Sequence, residues 1–195
     1  MSEAKTKPVG LLAIQGDFAM HARMLDSIGA PWLLVKHTRD LEKINGLILP
    51  GGESTTMIKF LTETGMGESI KNFAASGKPL FGTCAGAILL AQEVTNPPQE
   101  RLGLMDISVE RNAYGRQADS AIRMGECPEI SDHPIEMVFI RAPIIRHVGD
   151  AVKVLGRSEN LPVLVEQGNL LAATFHPELT DDPAIHQYFL CKLNR

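Results

Sequence analysis

The sequence predicts an α/β protein: a mostly parallel central sheet between two helical layers, with antiparallel strands added to that core. Three observations carry the prediction. Short apolar runs, too short for helices and lacking alternation, read as strands buried on both faces. Three of the first four runs end at a turn and are followed by a segment of helical periodicity. In the second half the apolar runs continue but the helical segments between them disappear.

The first strand is Val9 to Ile14, which stops at Gln15-Gly16. Asp17 to Ile28 follows, with Phe18, Met20, Met24, Leu25 and Ile28 at helical spacing and Gly29 as a C-terminal stop. Trp32 to Val35 and Gly46 to Leu49 are the next strands, the latter ending at Pro50-Gly51-Gly52. Helices are expected over Ser54–Leu61 and Met66–Ala75, then a strand over Pro79–Gly82 that runs into Cys84, then a small-residue helix from Ala85 to about Gln92. Later strands are expected at Ile107–Glu110, Glu136–Ile140, Ala151–Leu155, Val163–Glu166 and Leu170–Phe175. Asp181 to Lys192 reads as a closing helix with Pro183 in its first turn. Asn96 to Arg101 and Gly125 to Pro134 read as surface loops.

With 195 residues the chain is long enough for one domain with a proper core. Residues 1–8 read as a flexible tail and 9–195 as a single domain, without a secretory signal or membrane span. Hydrophobic residues make up 44% and charged residues 22%, which marks an ordinary globular chain. The net charge of −4, with Lys and Arg scattered, argues against a nucleic-acid or anionic-membrane surface. Cys84, Cys127 and Cys191 have neither metal-ligand nor redox spacing, and their number is odd. A reducing cytoplasmic location without a disulfide framework is therefore expected.

Phe81-Gly82-Thr83-Cys84-Ala85-Gly86 stands where a strand meets a helix. Glycines two before and two after Cys84 permit a sharp turn that larger side chains would obstruct, the pattern of a nucleophile elbow. A helix N-terminus stabilises thiolate over thiol, and the Ala85 N–H is left free to face a developing oxyanion. Cys127 and Cys191 lack such a setting and read as ordinary residues.

A thiol nucleophile needs a base that later protonates the leaving group. Of His21, His37, His133, His147, His176 and His186, only His176 ends an expected buried strand. Pro177 favours an extended conformation at His176, so Glu178, two residues on, lies on the same side and can orient the ring. No His-Glu-x-x-His pattern exists, and a zinc site is not expected.

Leu49-Pro50-Gly51-Gly52-Glu53-Ser54-Thr55-Thr56 follows the third strand and opens a helix. Its glycines let backbone N–H groups approach a ligand, so Gly51 and Gly52 are candidates to complete an oxyanion hole with Ala85. A phosphate loop is not expected, because the segment lacks a Gly-Lys-Ser/Thr ending. The plainer reading is a tight turn with Ser54 capping the helix.

In this order, Pro50-Gly51-Gly52-Glu53-Ser54, Gly82-Thr83-Cys84-Ala85-Gly86 and His176-Pro177-Glu178 resemble class I, triad-type glutamine amidotransferases. Val109-Glu110-Arg111-Asn112, Tyr114-Gly115-Arg116-Gln117, Phe139-Ile140-Arg141-Ala142-Pro143 and the extension to Leu179-Thr180 bring the resemblance closer, to the glutaminase subunits of pyridoxal 5′-phosphate synthases. The resemblance implies a flavodoxin-like three-layer sandwich. It implies that Cys84 forms a γ-glutamyl thioester, that His176 shuttles the proton and that Glu178 orients His176. It also implies that Gly52, Glu53, Ser54, Arg111, Ile140 and Arg141 bind L-glutamine, with no cofactor. An arginine suits the substrate α-carboxylate, and Arg111, Arg141 and backbone groups are all candidates.

One glutaminase domain accounts for the residues, so the ammonia is expected to pass to another chain. By resemblance that partner is the synthase subunit, a barrel enzyme, in a large hetero-oligomer. Activity would then depend on docking, with a peptide flip at Gly51-Gly52 as a possible switch. The rival readings are a stand-alone γ-glutamyl cysteine hydrolase and a non-catalytic scaffold that kept the fold.

Overall fold

The computed structural model describes residues 7–111 and 120–193. Asn112 and the Tyr114-Gly115-Arg116-Gln117 motif lie outside the described residues.

The central sheet is built from β1 (Val9–Leu12), β2 (Trp32–Val35), β3 (Gly46–Leu49), β4 (Leu80–Thr83), β10 (Lys153–Ser158), β11 (Leu161–Gln167) and β12 (Leu170–Ala173). Their order is β10-β11-β12-β4-β3-β1-β2. The five strands from β12 to β2 are parallel, and β11 and β10 add on antiparallel. This is the mostly parallel sheet with antiparallel additions that the apolar runs predict.

Alternation along the strands explains why those runs are unbroken. Leu12, Leu47, Leu49, Leu80 and Ala172 enter one core, beneath α2 (Ser54–Glu63), α3 (Met66–Ala75) and α4 (Ala85–Leu90). Leu11, Ile48, Phe81 and Leu171 enter the other, beneath α1 (Phe18–Ser27) and α5 (Ala184–Lys192). Successive side chains point to opposite faces, and both faces are covered, so apolar residues dominate both sets of positions.

The second half departs from the sequence reading in three places. The helix expected to reach Gln92 ends at Leu90, because the N–H groups of Leu102 and Leu104 take the carbonyls of Leu89 and Leu90 at 2.8 and 2.9 Å. The chain then turns extended as β5 (Ala91–Thr95), beside β6 (Met105–Glu110) and β9 (Ile144–Val148) in a small separate sheet. A second addition is an antiparallel hairpin of β7 (Ser120–Gly125) and β8 (Ile135–Ile140). The sequence reading found neither β7 nor β9: β7 leaves Ile122 and Met124 exposed, and β9 carries Arg146 and His147, so neither has a clean buried pattern. The expected loop over 125–134 is also tied in. Glu126 bridges to Arg157, and Cys127 is buried.

At the N-terminal edge, the Asn45 N–H donates to Pro8 O at 3.1 Å and Lys7 Nζ donates to Glu42 O at 2.9 Å. Among the described residues no helix is long and apolar enough to cross a membrane.

Candidate active site

In a parallel sheet all C-terminal strand ends lie along one edge, and ligands of open α/β sheets bind there. Here β12, β4, β3 and β1 are neighbours. The segments that leave them carry His176, Cys84, Gly51 to Ser54, and Gln15 to Asp17. Topology thus gathers residues that are far apart in the chain. A cleft of about 370 Å³, within the range of small-molecule sites, is lined by Gly52, Glu53, Ser54, Cys84, His176 and Arg111, and by Ile140 and Arg141.

Cys84 sits between the last residue of β4 and the first of α4 with φ 48° and ψ −101°. Positive φ is strained for a residue with a side chain. Backbone bonds hold it: the Cys84 N–H donates to Ala173 O at 2.8 Å, and the Ile88 N–H donates to Cys84 O at 3.2 Å. The flanking glycines are there for space. A Cβ on Gly82 would stand 2.5 Å from the carbonyl carbon of Gly86, and one on Gly86 would stand 2.0 Å from Leu49 O. Ala85 opens α4, where the first N–H groups have no helical acceptor.

His176 is anchored through its N–H, which donates to Val138 O at 2.8 Å. Its ring is buried, and Nδ1 lies 2.8 Å from Glu178 Oε1. The expected side-by-side extended arrangement is not how they meet. Pro177–Leu179 forms one 3₁₀ turn, and that turn swings the Glu178 carboxylate back to the ring. Burial works against charge on His176. Hydrogen bonds with Cys84 and Glu178, and their negative charges, outweigh it and raise the pKa to about 10. Burial pushes the Glu178 carboxyl up, while the bond from His176 draws it back.

Gly51 is packed against His176, since a Cβ there would stand 2.4 Å from ring Cε1. The Asp17 N–H donates to Gly51 O at 3.1 Å, so that bond holds the Gly51-Gly52 peptide in its present orientation. Gly52 borders the cleft with φ 156°. The helix cap is Glu53 and not Ser54. The Glu53 carboxylate accepts from the N–H groups of Thr55 and Thr56 at 3.2 and 2.7 Å. Ser54 Oγ instead donates to Gln99 Oε1 at 2.9 Å. An Arg111 guanidinium nitrogen lies 3.6 Å from Glu53 Oε1. Arg141 borders the same cleft with φ 44°, and Ile140 O lies 3.8 Å from Cys84 Sγ. All the predicted site residues thus converge on one edge of the sheet.

Sequence reasoning missed Gln15, Gly16, Asp17 and Ile88 in the cleft lining, and two of these make polar approaches within the site. Gln15 Oε1 accepts the Glu53 N–H at 3.0 Å and so ties the β1 turn to the glycine loop. Asp17 Oδ2 lies 3.8 Å from His176 Nδ1. Their position just beyond the end of a buried parallel strand was the available signal. Asp17, His176 and Glu178 each place a ligand-type atom within 4.8 Å of the others. The two acids bracket the Nδ1 position of one imidazole, which Glu178 already engages, so we read the cluster as hydrogen-bonded and not as a metal centre.

Comparison with known proteins places this arrangement. Residues 11–195 match the model of the SNO glutamine amidotransferase family. A relative from Solibacter usitatus, named pyridoxal 5′-phosphate synthase subunit PdxT, is 53% identical over 96% of this chain and 100% of its own. One from Kosmotoga olearia with the same name is 51% identical over 93% of this chain and 95% of its own. A crystal structure described as a glutamine amidotransferase is 46% identical with a TM-score of 0.91, covering 96% of this chain and 99% of that one. The match over nearly the full length, together with the elbow cysteine and its buried histidine and glutamate, leads to one assignment: the chain belongs to the SNO glutamine amidotransferase family.

Proposed function

We propose that this chain is the glutaminase subunit of a pyridoxal 5′-phosphate synthase, hydrolysing L-glutamine to L-glutamate and ammonia through Cys84, His176 and Glu178. The observation that carries the catalytic part is the strained Cys84 elbow facing the same cleft as His176, whose ring is held by Glu178 at 2.8 Å. The names of the PdxT relatives support the biosynthetic assignment.

In this reading the Cys84 thiolate adds to the side-chain amide carbon of glutamine. Negative charge develops on the amide oxygen, where the N–H of Ala85 and those of the Gly51-Gly52 loop serve as donors. His176 gives its proton to the departing nitrogen, so ammonia leaves and a γ-glutamyl thioester remains. Water then attacks the thioester with His176 as base, and glutamate and free thiolate are restored. Glu178 keeps the imidazole oriented in both halves. Gly52, Glu53, Ser54 and Ile140 shape the glutamine site, and Arg111 and Arg141 supply the positive charge that suits an α-carboxylate. The ammonia passes to a synthase partner in a hetero-oligomer, and the free thiol suits a reducing cytoplasm.

The test is ammonia release from glutamine with the synthase subunit present. Cys84→Ala should abolish it and leave the fold intact, while mass spectrometry of the unaltered chain should find a γ-glutamyl adduct on Cys84. Ammonia release that survives the substitution would refute the mechanism.

A further inference from the structure

Two more histidines lie behind the triad. His21 comes from α1 and His186 from α5, and neither is accessible to solvent. His21 Nδ1 is 2.9 Å from His186 Nε2. The other nitrogen, His21 Nε2, is 3.1 Å from Thr83 Oγ1 and 3.5 Å from Glu178 Oε2. Glu178 spends Oε1 on His176, while its buried Oε2 has no hydrogen-bond partner among the described residues, and His21 Nε2 is a nitrogen that stands near it, at 3.5 Å. His186 Nδ1 is likewise buried and unpartnered among the described residues. The mechanism above uses neither ring.

Burial keeps both rings neutral. It lowers the pKa of His21, with help from His186 and His176, and lowers that of His186 to about 4. Two neutral imidazoles that share one hydrogen bond have two proton arrangements. In one, His21 carries its proton on Nδ1 and donates to His186 Nε2. His186 must then hold its own proton on Nδ1, a buried donor with nothing to meet, and the lone pair of His21 Nε2, although the Thr83 hydroxyl can donate to it, also faces the Glu178 carboxylate. In the other, His186 Nε2–H donates to His21 Nδ1, and His21 Nε2–H points toward Thr83 Oγ1 and Glu178 Oε2. Only a lone pair on His186 stays unpaired. An unmet buried donor and a lone pair against an anion are both unfavourable, so the second arrangement wins.

We propose that His186 and His21, both protonated at Nε2, form a one-directional line of proton donors that runs through Thr83 Oγ1 and faces Glu178 Oε2 at 3.5 Å, and that this line positions the triad carboxylate. His176 then holds one oxygen of Glu178, and the Nε2–H of His21 faces the other. His21 and His186 are positioning residues, acting on the reaction only through Glu178. The titratable groups that face Glu178 are His176, His21 and Asp17, and those that face His21 are Glu178, His186 and His176. Without the His21 donor, the buried carboxylate takes up a proton at higher pH, and the His176 imidazolium loses its anion and releases its proton at lower pH. The active pH window therefore narrows from both sides.

The catalytic part rests on the glutaminase reading, but the proton arrangement does not, and the experiment separates them. Two-bond ¹H–¹⁵N correlation spectra of the full chain with ¹⁵N-labelled histidine should show the Nε2–H tautomer at His21 and His186 across the neutral range. An Nδ1–H tautomer or a cationic ring at His21 would overturn the proposal without any variant being made. With the synthase subunit present, His21→Leu should lower kcat for ammonia release about 10-fold, the scale of removing a buried donor that faces a charged group. It should leave KM for glutamine unchanged and narrow the pH profile. His21→Gln, whose amide nitrogen can replace Nε2, should restore the profile. An unmoved profile in His21→Leu would overturn the proposal even if total activity fell, because a packing defect only reduces the amount of folded enzyme. Cys84→Ala that still released ammonia would remove the glutaminase reading and leave the tautomer result standing.

Discussion

Gly51→Ala isolates one demand of the site. Gly51 does not have a positive φ, so its backbone accepts alanine without strain. The obstacle is the His176 ring, whose Cε1 would lie 2.4 Å and Nδ1 3.0 Å from the new methyl. Carbon atoms pack at about 3.5 Å, so the ring must retreat by about 1 Å. The Nδ1 to Glu178 Oε1 distance is 2.8 Å, and it has no such reserve before the hydrogen bond fails. A misplacement of about 1 Å costs a catalytic group roughly 100-fold, or about 2.7 kcal/mol on the barrier. Steady-state ammonia release with the synthase subunit present reads the loss as kcat. Thermal unfolding of the same sample tests whether the fold survives. A kcat within about threefold of the unaltered chain at equal melting temperature would refute the packing argument, because a shift of that size on a base cannot be so cheap.

Three further predictions follow from the geometry. Glu178→Gln should lower kcat without abolishing it, since nucleophile and oxyanion donors remain. Losing the carboxylate also lowers the His176 pKa from about 10, so the alkaline limb of the pH–rate profile should move to lower pH. The same sign holds for stability. The raised His176 pKa contributes fully below pH 6.5 and is lost as pH rises through about 10, and alkaline unfolding should come earlier in the variant. Gly86→Ala puts a methyl 2.0 Å from Leu49 O, a backbone atom that cannot turn aside. It should destabilise by about 1–3 kcal/mol or more in urea unfolding. Glu53→Gln weakens the α2 cap. Burial opposes ionisation of Glu53, but bonds from Thr55 and Thr56 prevail and lower its pKa to about 2. The contribution is therefore complete above pH 4.5 and lost as pH falls toward about 2. Urea unfolding should separate the variant from the unaltered chain by about 0.5–2 kcal/mol at pH 7 and much less near pH 2.

The parallel half of the molecule is legible because its strands are covered on both faces. Runs such as Gly46–Leu49 have only one structure that buries every side chain, and the turns after them announce the helices. The second half was less legible for the converse reason. The β7 strand exposes Ile122 and Met124, and β5 begins where a helix was expected because carbonyls at its end are claimed by residues 102 and 104. Those acceptances are tertiary events, and no local pattern records them. The loop at Gly51 shows both sides of the matter. Its glycines stand out in the sequence, yet their purposes differ: Gly51 makes room for a ring contributed from residue 176, and Gly52 adopts a backbone angle of 156°. Ser54 looks like the cap by residue type, but Glu53 takes the role because its longer side chain reaches back to two N–H groups.

By itself the sequence determined the kind of chemistry. A cysteine between glycines at a strand–helix junction, and a histidine two residues before a glutamate at a strand end, are local features set by backbone sterics and helix polarity. Only the tertiary structure decided what those groups face. The order β12-β4-β3-β1 brings His176, Cys84, Gly51 and Gln15 to one edge, because parallel neighbours share their C-terminal ends. The same packing sets His21 and His186, ordinary helix residues in the sequence, behind Glu178 and out of reach of bulk solvent. Burial makes their proton positions matter, since a buried polar group must find its partner within the protein.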